Sequence, residues 1–323
     1  MSLRPQDITI AVTVFDRRRF LKQAIGSALK QTRPVRVIVV EDCGPDVEME
    51  AYVRSEFGGA VEYIRNSTRR GIFGNLNACI EYCPTPWLSI LHDDDYLDPR
   101  FVEAMVELSG HCDQAGLYFG HTEIVDAQGQ RLSQQTLPPP AAPWREVPLE
   151  DMVWITPFPF PGQLIPVAPA GALGGFRETS QYCGDWELWA RLTAQHGAAQ
   201  TSTTVAYNRG HEGPERGSSL IYRTGKLFPL TFVQRKRIIA MIRQRGGVIK
   251  FERRSDLQRA PLPTRMLVKH AADMRPLLLA YNLRLLRLSR APHLGYAAFQ
   301  FAAACLGKRF VLACSRLWNW GLK

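Results

Sequence analysis

The sequence predicts an α/β fold with a mostly parallel central sheet, followed by a basic, mainly helical C-terminal region. Three observations predict it. Short apolar runs rich in β-branched residues alternate with amphipathic stretches, the pattern of a parallel sheet covered on both faces. Those runs end abruptly in polar or acidic residues: Asp16, Glu41-Asp42 and Asp93-Asp94-Asp95. The 323 residues, 46% hydrophobic and 22% charged, suffice for one large domain with an appendage or for two modest domains, and exclude a disordered chain.

Ile8–Val14 reads as a buried strand because its run is apolar and β-branched without a charge. Phe20–Gln31 reads as a helix, with Leu21, Ile25, Ala28 and Leu29 at helical spacing. Val35–Val40 and Val61–Ile64 are the second and third strands, Gly71–Tyr82 is a helix, and Trp87–Leu91 is a fourth strand running into His92 and the aspartate triplet. Residues Leu137–Pro169 hold Pro138-Pro139-Pro140 and Phe158-Pro159-Phe160-Pro161. Neither a central strand nor a long helix is expected there, but an ordered excursion over the site, a flexible linker being the plain alternative. Order returns at Gly174-Gly175-Phe176 and a helix beginning near Asp185.

Charge divides the chain into residues 1–224 and 225–323. Beyond residue 224 lie 20 of the 40 Lys/Arg but only 3 of the 30 Asp/Glu. Such a tail attracts phosphate-bearing partners. Leu283–Arg290 sets arginines three apart among leucines, and Ala291–Gly307 is shorter and more polar than a good membrane span. These basic helices are expected to lie along an anionic membrane surface; nucleic acid is not the expected partner. The seven cysteines form no CxxC pair, so free thiols in a reducing compartment are expected. Met1–Asp7 lacks the apolar core of a signal peptide. The expected location is the cytoplasm, with the tail against the inner face of the membrane.

In doubly wound sheets ligands bind beyond the carboxyl ends of the strands, so the three acidic clusters point to a single site. Asp93-Asp94-Asp95 carries the most chemistry. Adjacent carboxylates repel unless a cation holds them, and their hard oxygens suit Mg2+ or Mn2+. The plain alternatives are a solvated acidic turn, or a helix N-terminus with Asp98 as the cap ahead of Pro99. Along an extended chain, Asp93 and Asp95 would face one way and Asp94 the other. No GxxxxGK[ST], GxSxG or strand-following GxGxxG is present, which excludes the ATPases, hydrolases and dinucleotide enzymes that depend on them.

The order and spacing of Thr13-Val14-Phe15-Asp16-Arg17, Gln31-Thr32, Val39-Val40-Glu41-Asp42, Asn66 with Gly71–Asn77, and Leu91–Pro99 resemble the family 2 glycosyltransferases of the GT-A fold, over roughly residues 8–215. The resemblance implies a nucleotide-sugar donor whose base is held by Thr13, Val14, Phe15, Asp16 and Asp42. Arg65 and Asn75 or Asn77 would lie near the base or phosphates, helix capping being the alternative for the two asparagines. Asp93 would approach the ribose and Asp94 would be the principal ligand of Mn2+ or Mg2+. Asp95 is a further candidate ligand, because His92 stands where many relatives have Asp and leaves the full coordination set open.

Cys183–Leu192 looks like the family's catalytic helix start, which implies that Asp185 deprotonates the acceptor. Gly184 replaces the usual Glu, so Glu187 is a rival base, and helix capping is the plain alternative for Asp185. Tyr207–His211 resembles the family's closing segment. His211 would be an additional metal or pyrophosphate contact and Arg209 a phosphate contact; an ordinary polar loop is the alternative. The expected reaction is inverting transfer from a nucleoside diphosphate sugar, UDP-linked by preference, to a saccharide or lipid-linked saccharide in surface glycan assembly. The rivals are a sugar-phosphate nucleotidyltransferase, disfavoured by the absence of glycine in Phe15–Arg19, and a non-catalytic binding module of the same fold.

Overall fold

A computed structural model describes residues 3–132, 139–153, 159–210 and 227–246. The chain divides into two compact units, Met1–His211 with Ile238–Gly247, and Glu212–Arg237 with Val248–Lys323. The first contains the sheet. The boundary expected at residue 224, His211, and the basic stretches around Leu283–Arg290 and Ala291–Gly307 lie outside the described residues.

The first half of the sheet follows from the apolar runs. Strands β1 (Ile8–Val14), β2 (Arg36–Glu41), β3 (Glu62–Arg65) and β4 (Trp87–His92) lie in the order β3-β2-β1-β4, all parallel. All seven residues of β1 are buried, as a central strand between two layers requires. Helix α1 (Leu21–Leu29) buries Leu21, Ala24, Ile25 and Ala28 at i, i+3, i+4 and i+7. Helices α2 (Met49–Phe57) and α3 (Gly71–Tyr82) complete the crossovers.

The second half is mixed. After β5 (Tyr96–Leu97) and α4 (Phe101–His111) come β6 (Tyr118–Val125) and β7 (Trp144–Glu146). Then follow β8 (Gln163–Pro166), α5 (Val167–Ala172), α6 (Gly184–His196) and β9 (Ala199–Arg209). The sheet continues β4-β8-β6-β9-β5, with β7 also on β9. Helix Leu227–Gln244 is the last described element. No helix among the described residues is long and apolar enough to cross a membrane.

β8 corrects the expectation that Leu137–Pro169 holds no central strand. It pairs antiparallel with β4 and β6 through the window Gln163-Leu164-Ile165-Pro166, where only the last residue is proline. Pro166 closes the strand, where its missing N–H disrupts no further ladder. Upstream, Pro161 accepts a hydrogen bond from Thr122 Oγ1 at 2.9 Å, so part of the excursion is pinned to β6.

Gln31, just past α1, fixes the segment that follows the aspartate triplet. Its amide donates to Ser27 O and Asp98 O, each at 3.0 Å, and its Oε1 accepts from Val102 N at 3.0 Å. Ser27 Oγ accepts from Leu97 N at 3.0 Å. Gln31→Ala would strand buried backbone groups on two elements; chemical denaturation should show a loss of roughly 2 kcal/mol.

Candidate functional site

The carboxyl ends of β1, β2 and β4 adjoin, because Val14 is in register with Glu41 and Thr13 with His92. The loops after β1 and β2 touch backbone to backbone. A Cβ on Gly44 would lie 1.6 Å from Phe15 O, so only glycine permits this approach. Arg18 on the first loop donates to both carboxylate oxygens of Asp46 on the second.

Glu41 and Asp42 both serve the fold. Glu41 is fully buried and accepts from Gly44 N at 2.9 Å, Tyr63 Oη and Arg65 Nη1. Arg65 also donates to Gly44 O at 2.8 Å. Asp42 receives Arg70 N at 2.6 Å and Gly71 N at 2.9 Å, placing a carboxylate at the N-terminus of α3 where the helix dipole favours it. On the β1 side, Thr13 Oγ1 lies 3.2 Å from His92 Nδ1, Asp16 is exposed, and the Arg69 guanidinium covers the Phe15 ring at 4.3 Å. Burial holds the His92 imidazole below its ordinary pKa, hence neutral.

The aspartate triplet is not extended. Asp95 N donates to His92 O at 3.2 Å, making a turn with Asp93 and Asp94 at its tip. This corrects the expected alternation: Asp93 and Asp94 turn to the same cation and Asp95 departs. Arg17 donates from Nε to Asp93 Oδ2 at 3.1 Å and from Nη2 to Asp93 Oδ1, while its Nη1 meets Asp94 Oδ2 at 3.1 Å. Burial opposes the Arg17 charge, but Asp93 and Asp94 outweigh it and hold the guanidinium above its ordinary pKa. Burial raises the Asp93 carboxyl, against the pull of Arg17. Asp94 is the more open of the two, its side chain 16% exposed against 7% for Asp93.

Asp95 accepts from Asn208 Nδ2 at 3.2 Å on both oxygens and from Arg209 N at 2.8 Å. The Arg209 guanidinium, expected near phosphate, lies behind this turn. It donates to Asp94 O, Asp126 O, Ala127 O and Gln23 Oε1, and packs over the Phe20 ring at 4.2 Å. Arg209 is 3% exposed: an internal fastener joining β9 to the turn.

Asn75 and Asn77 are neither helix caps nor open groups. Asn75 accepts from Asn66 Nδ2 at 2.9 Å and donates to Val40 O at 3.2 Å. Asn77 clamps the glycine turn, accepting from Phe176 N at 2.8 Å and donating to Phe176 O at 2.9 Å. The turn's other wall is Arg191, which donates to Leu173 O and Gly175 O, each at 2.6 Å. Glu187 is committed to that arginine through Nε at 2.8 Å and Nη2 at 2.6 Å.

Asp185, at the second position of α6, is half-buried and accepts from Trp186 N at 2.7 Å; Cys183, not Asp185, stands at the cap position. Burial pushes its carboxyl up to about 6. A row of rings connects it to the aspartate turn: His92 against Phe160 at 4.1 Å, Phe160 near Phe176 at 6.4 Å, and Phe176 stacked with Phe73 at 6.5 Å. Phe73 abuts Gly184, where a Cβ would meet its Cε1 at 2.4 Å. Sequence reasoning missed Arg17, whose signal was the Arg17-Arg18-Arg19 run beside the acidic clusters. It also missed the Phe73–Gly184 contact, which has no sequence signal.

Residues 9–145 match the model of the glycosyl transferase family 2. An uncharacterized glycosyltransferase of Rickettsia conorii is 28% identical over 127 residues, 39% of this chain and 21% of that protein. One of Rickettsia felis is 23% identical over 188 residues, 57% of this chain and 31% of that protein. The chain thus spans about a fifth to a third of these relatives' length. Among solved structures, residues 1–349 of S. aureus TarS align with a TM-score of 0.56 at 15% identity, covering 97% of this chain and 92% of that one. The same protein in complex with UDP-GlcNAc gives a TM-score of 0.59 at 13% identity, with the same coverage. At these identities the likeness shows the fold alone. Family model, relatives and fold agree: residues 9–145 are similar to the glycosyl transferase family 2, and the fold is that of the GT-A glycosyltransferases.

Proposed function

We propose that the domain transfers a sugar, with inversion, from a nucleoside diphosphate sugar to a hydroxyl of a saccharide or lipid-linked saccharide. The observation that carries the reading is a pair of carboxylate stations joined by one aromatic row: Asp93 and Asp94 at the tip of β4, and Asp185 at the start of α6. A UDP donor is the preferred form; TarS, of the same fold, is solved with UDP and with UDP-GlcNAc.

On the donor side, the loops joined at Phe15 and Gly44 form the base site with Thr13, Val14, Asp16 and Asp42, and Arg65 stiffens it from Glu41. Asp93 is assigned to the ribose. Asp93 and Asp94 converge on one guanidinium, which marks a place where oxygen donors require positive charge. This fits Mg2+ or Mn2+, which take one or two carboxylates and complete their shell with water and substrate phosphate. Asp94, the more open, is the ligand proposed; Asp95 supports the turn through Asn208 and Arg209, and the His211 contact remains part of the proposal. When bound, such an ion neutralises the charge that develops on the departing diphosphate.

On the acceptor side, Asp185 takes the proton from the acceptor hydroxyl. The freed oxygen forms its bond to the anomeric carbon on the face opposite the nucleotide. The carbon–oxygen bond to the β-phosphate breaks, and its electron pair leaves with the nucleoside diphosphate. Glu187 is given a positioning role, because its pairing with Arg191 holds the Gly174-Gly175 turn. The membrane-surface role of the basic tail and assembly of a surface glycan belong to the same proposal, supported by the charge of residues 225–323.

Three outcomes test this. Asp185→Asn should lower kcat by about 100- to 10,000-fold while calorimetry shows UDP binding retained; undiminished turnover would remove Asp185 as base. A carboxyl held at about 6 is protonated and inactive below that pH, so kcat/KM should fall about tenfold per unit as pH drops through 6. A flat profile from pH 5 to 7 would contradict it. Glu187→Ala leaves the buried Arg191 charge unpaired and should cost roughly 3–5 kcal/mol in unfolding free energy, whereas Asp185→Asn should melt near the parent.

A further inference from the structure

We infer that Arg17 is a displaceable counter-ion, occupying the cation position between Asp93 and Asp94 until metal and donor arrive together, then passing to the donor's diphosphate. The inference rests on the proposed donor-site reading and adds a coupling that the reading does not require.

All three guanidinium nitrogens of Arg17 are engaged on these two carboxylates, so an ion binding Asp94 competes with it directly. Asp95 offers no substitute: its oxygens are taken by Asn208 and the Arg209 amide on the far side of the turn. The charges set the order of events. Two carboxylates and one guanidinium leave a net negative charge that attracts a divalent ion. Once that ion is bound, Arg17 faces a like charge across shared oxygens and is repelled. A diphosphate beside the metal is the anion that receives it, with a fork geometry suited to phosphate oxygens. The loop permits this motion of the side chain alone. Its neighbour Arg18 is anchored on Asp46, and the backbone at Phe15 is locked against Gly44, while the Arg17 side chain remains 26% exposed.

The consequence is positive coupling. Metal alone must displace Arg17 without a new partner for it and binds weakly; donor supplies the partner, and by reciprocity metal tightens donor by the same factor.

The test is Mn2+ titration of the full chain, followed by the electron paramagnetic resonance of free Mn2+, with and without UDP. The parent should bind Mn2+ at least tenfold tighter when UDP is present. Arg17→Ala should bind Mn2+ alone about tenfold tighter than the parent, with the UDP effect reduced to less than threefold. Arg17→Lys, which keeps the charge but not the fork, should fall between them; it decides alone if the melting curve of Arg17→Ala shows no fold. Folded Arg17 variants that bind Mn2+ no tighter than the parent, with an unchanged UDP effect, would overturn the inference and leave the donor site standing. A parent that binds neither Mn2+ nor UDP overturns both. Asp94→Asn is the control for the ion's position and should abolish Mn2+ binding in either condition.

Discussion

The structure of the site depends on how three adjacent carboxyl groups are accommodated at the end of one strand. Two like charges 4 Å apart repel by about 4 kcal/mol at the effective dielectric of a protein surface, so a triplet without cations would protonate or unfold the turn. The chain solves this by turning at His92–Asp95 and dividing the load. Arg17 from the β1 loop pairs with both Asp93 and Asp94, and the β9 end takes Asp95 through Asn208 and the Arg209 amide. Arg209 itself grips Asp94 O from behind and reaches Gln23 on α1. Thus the two halves of the sheet, which meet at β4 and β8, are also joined at the point where the proposed chemistry happens. The carboxylates are as much a fold constraint as a ligand set.

That double use explains what could and could not be read from residues alone. The parallel half was legible because buried strands must be continuously apolar: the helix Gly71–Tyr82 and the strand Ile8–Val14 match expectation to the residue. β8 was not, because a four-residue window inside a proline-rich segment carries no periodicity; two short ladders, not composition, make it a strand. The roles of Asn75, Asn77 and Arg209 were illegible for another reason. A polar side chain beside a ligand-bearing loop has the same sequence signature whether it touches the ligand or the backbone of the loop. Here the structure shows Asn77 on Phe176 and Arg209 on three carbonyls. The direction of Asp93 relative to Asp95 depended on a turn that no residue type announces.

Gly184 shows how a departure from the family pattern can leave the Asp185 carboxyl raised by another route. A glutamate next to Asp185 would raise the pKa of the base by like-charge repulsion, favouring the protonated form. Here Phe73 fills the space a side chain at 184 would need, and Phe176 stacks behind it. The neighbouring charge is replaced by an apolar wall, and desolvation does what repulsion would have done, pushing the Asp185 carboxyl up to about 6. The two routes are not equivalent toward an acceptor. A charged neighbour strengthens with falling ionic strength and offers a hydrogen-bond acceptor to a sugar hydroxyl; an aromatic wall is insensitive to salt and offers a flat face. A chain with Phe73 and Gly184 where the family pattern has a glutamate beside the aspartate therefore keeps Asp185, the proposed base, at a raised pKa while changing what an acceptor would have to present beside its reacting hydroxyl. The acceptor should be the property in which this domain differs most from relatives that retain the glutamate.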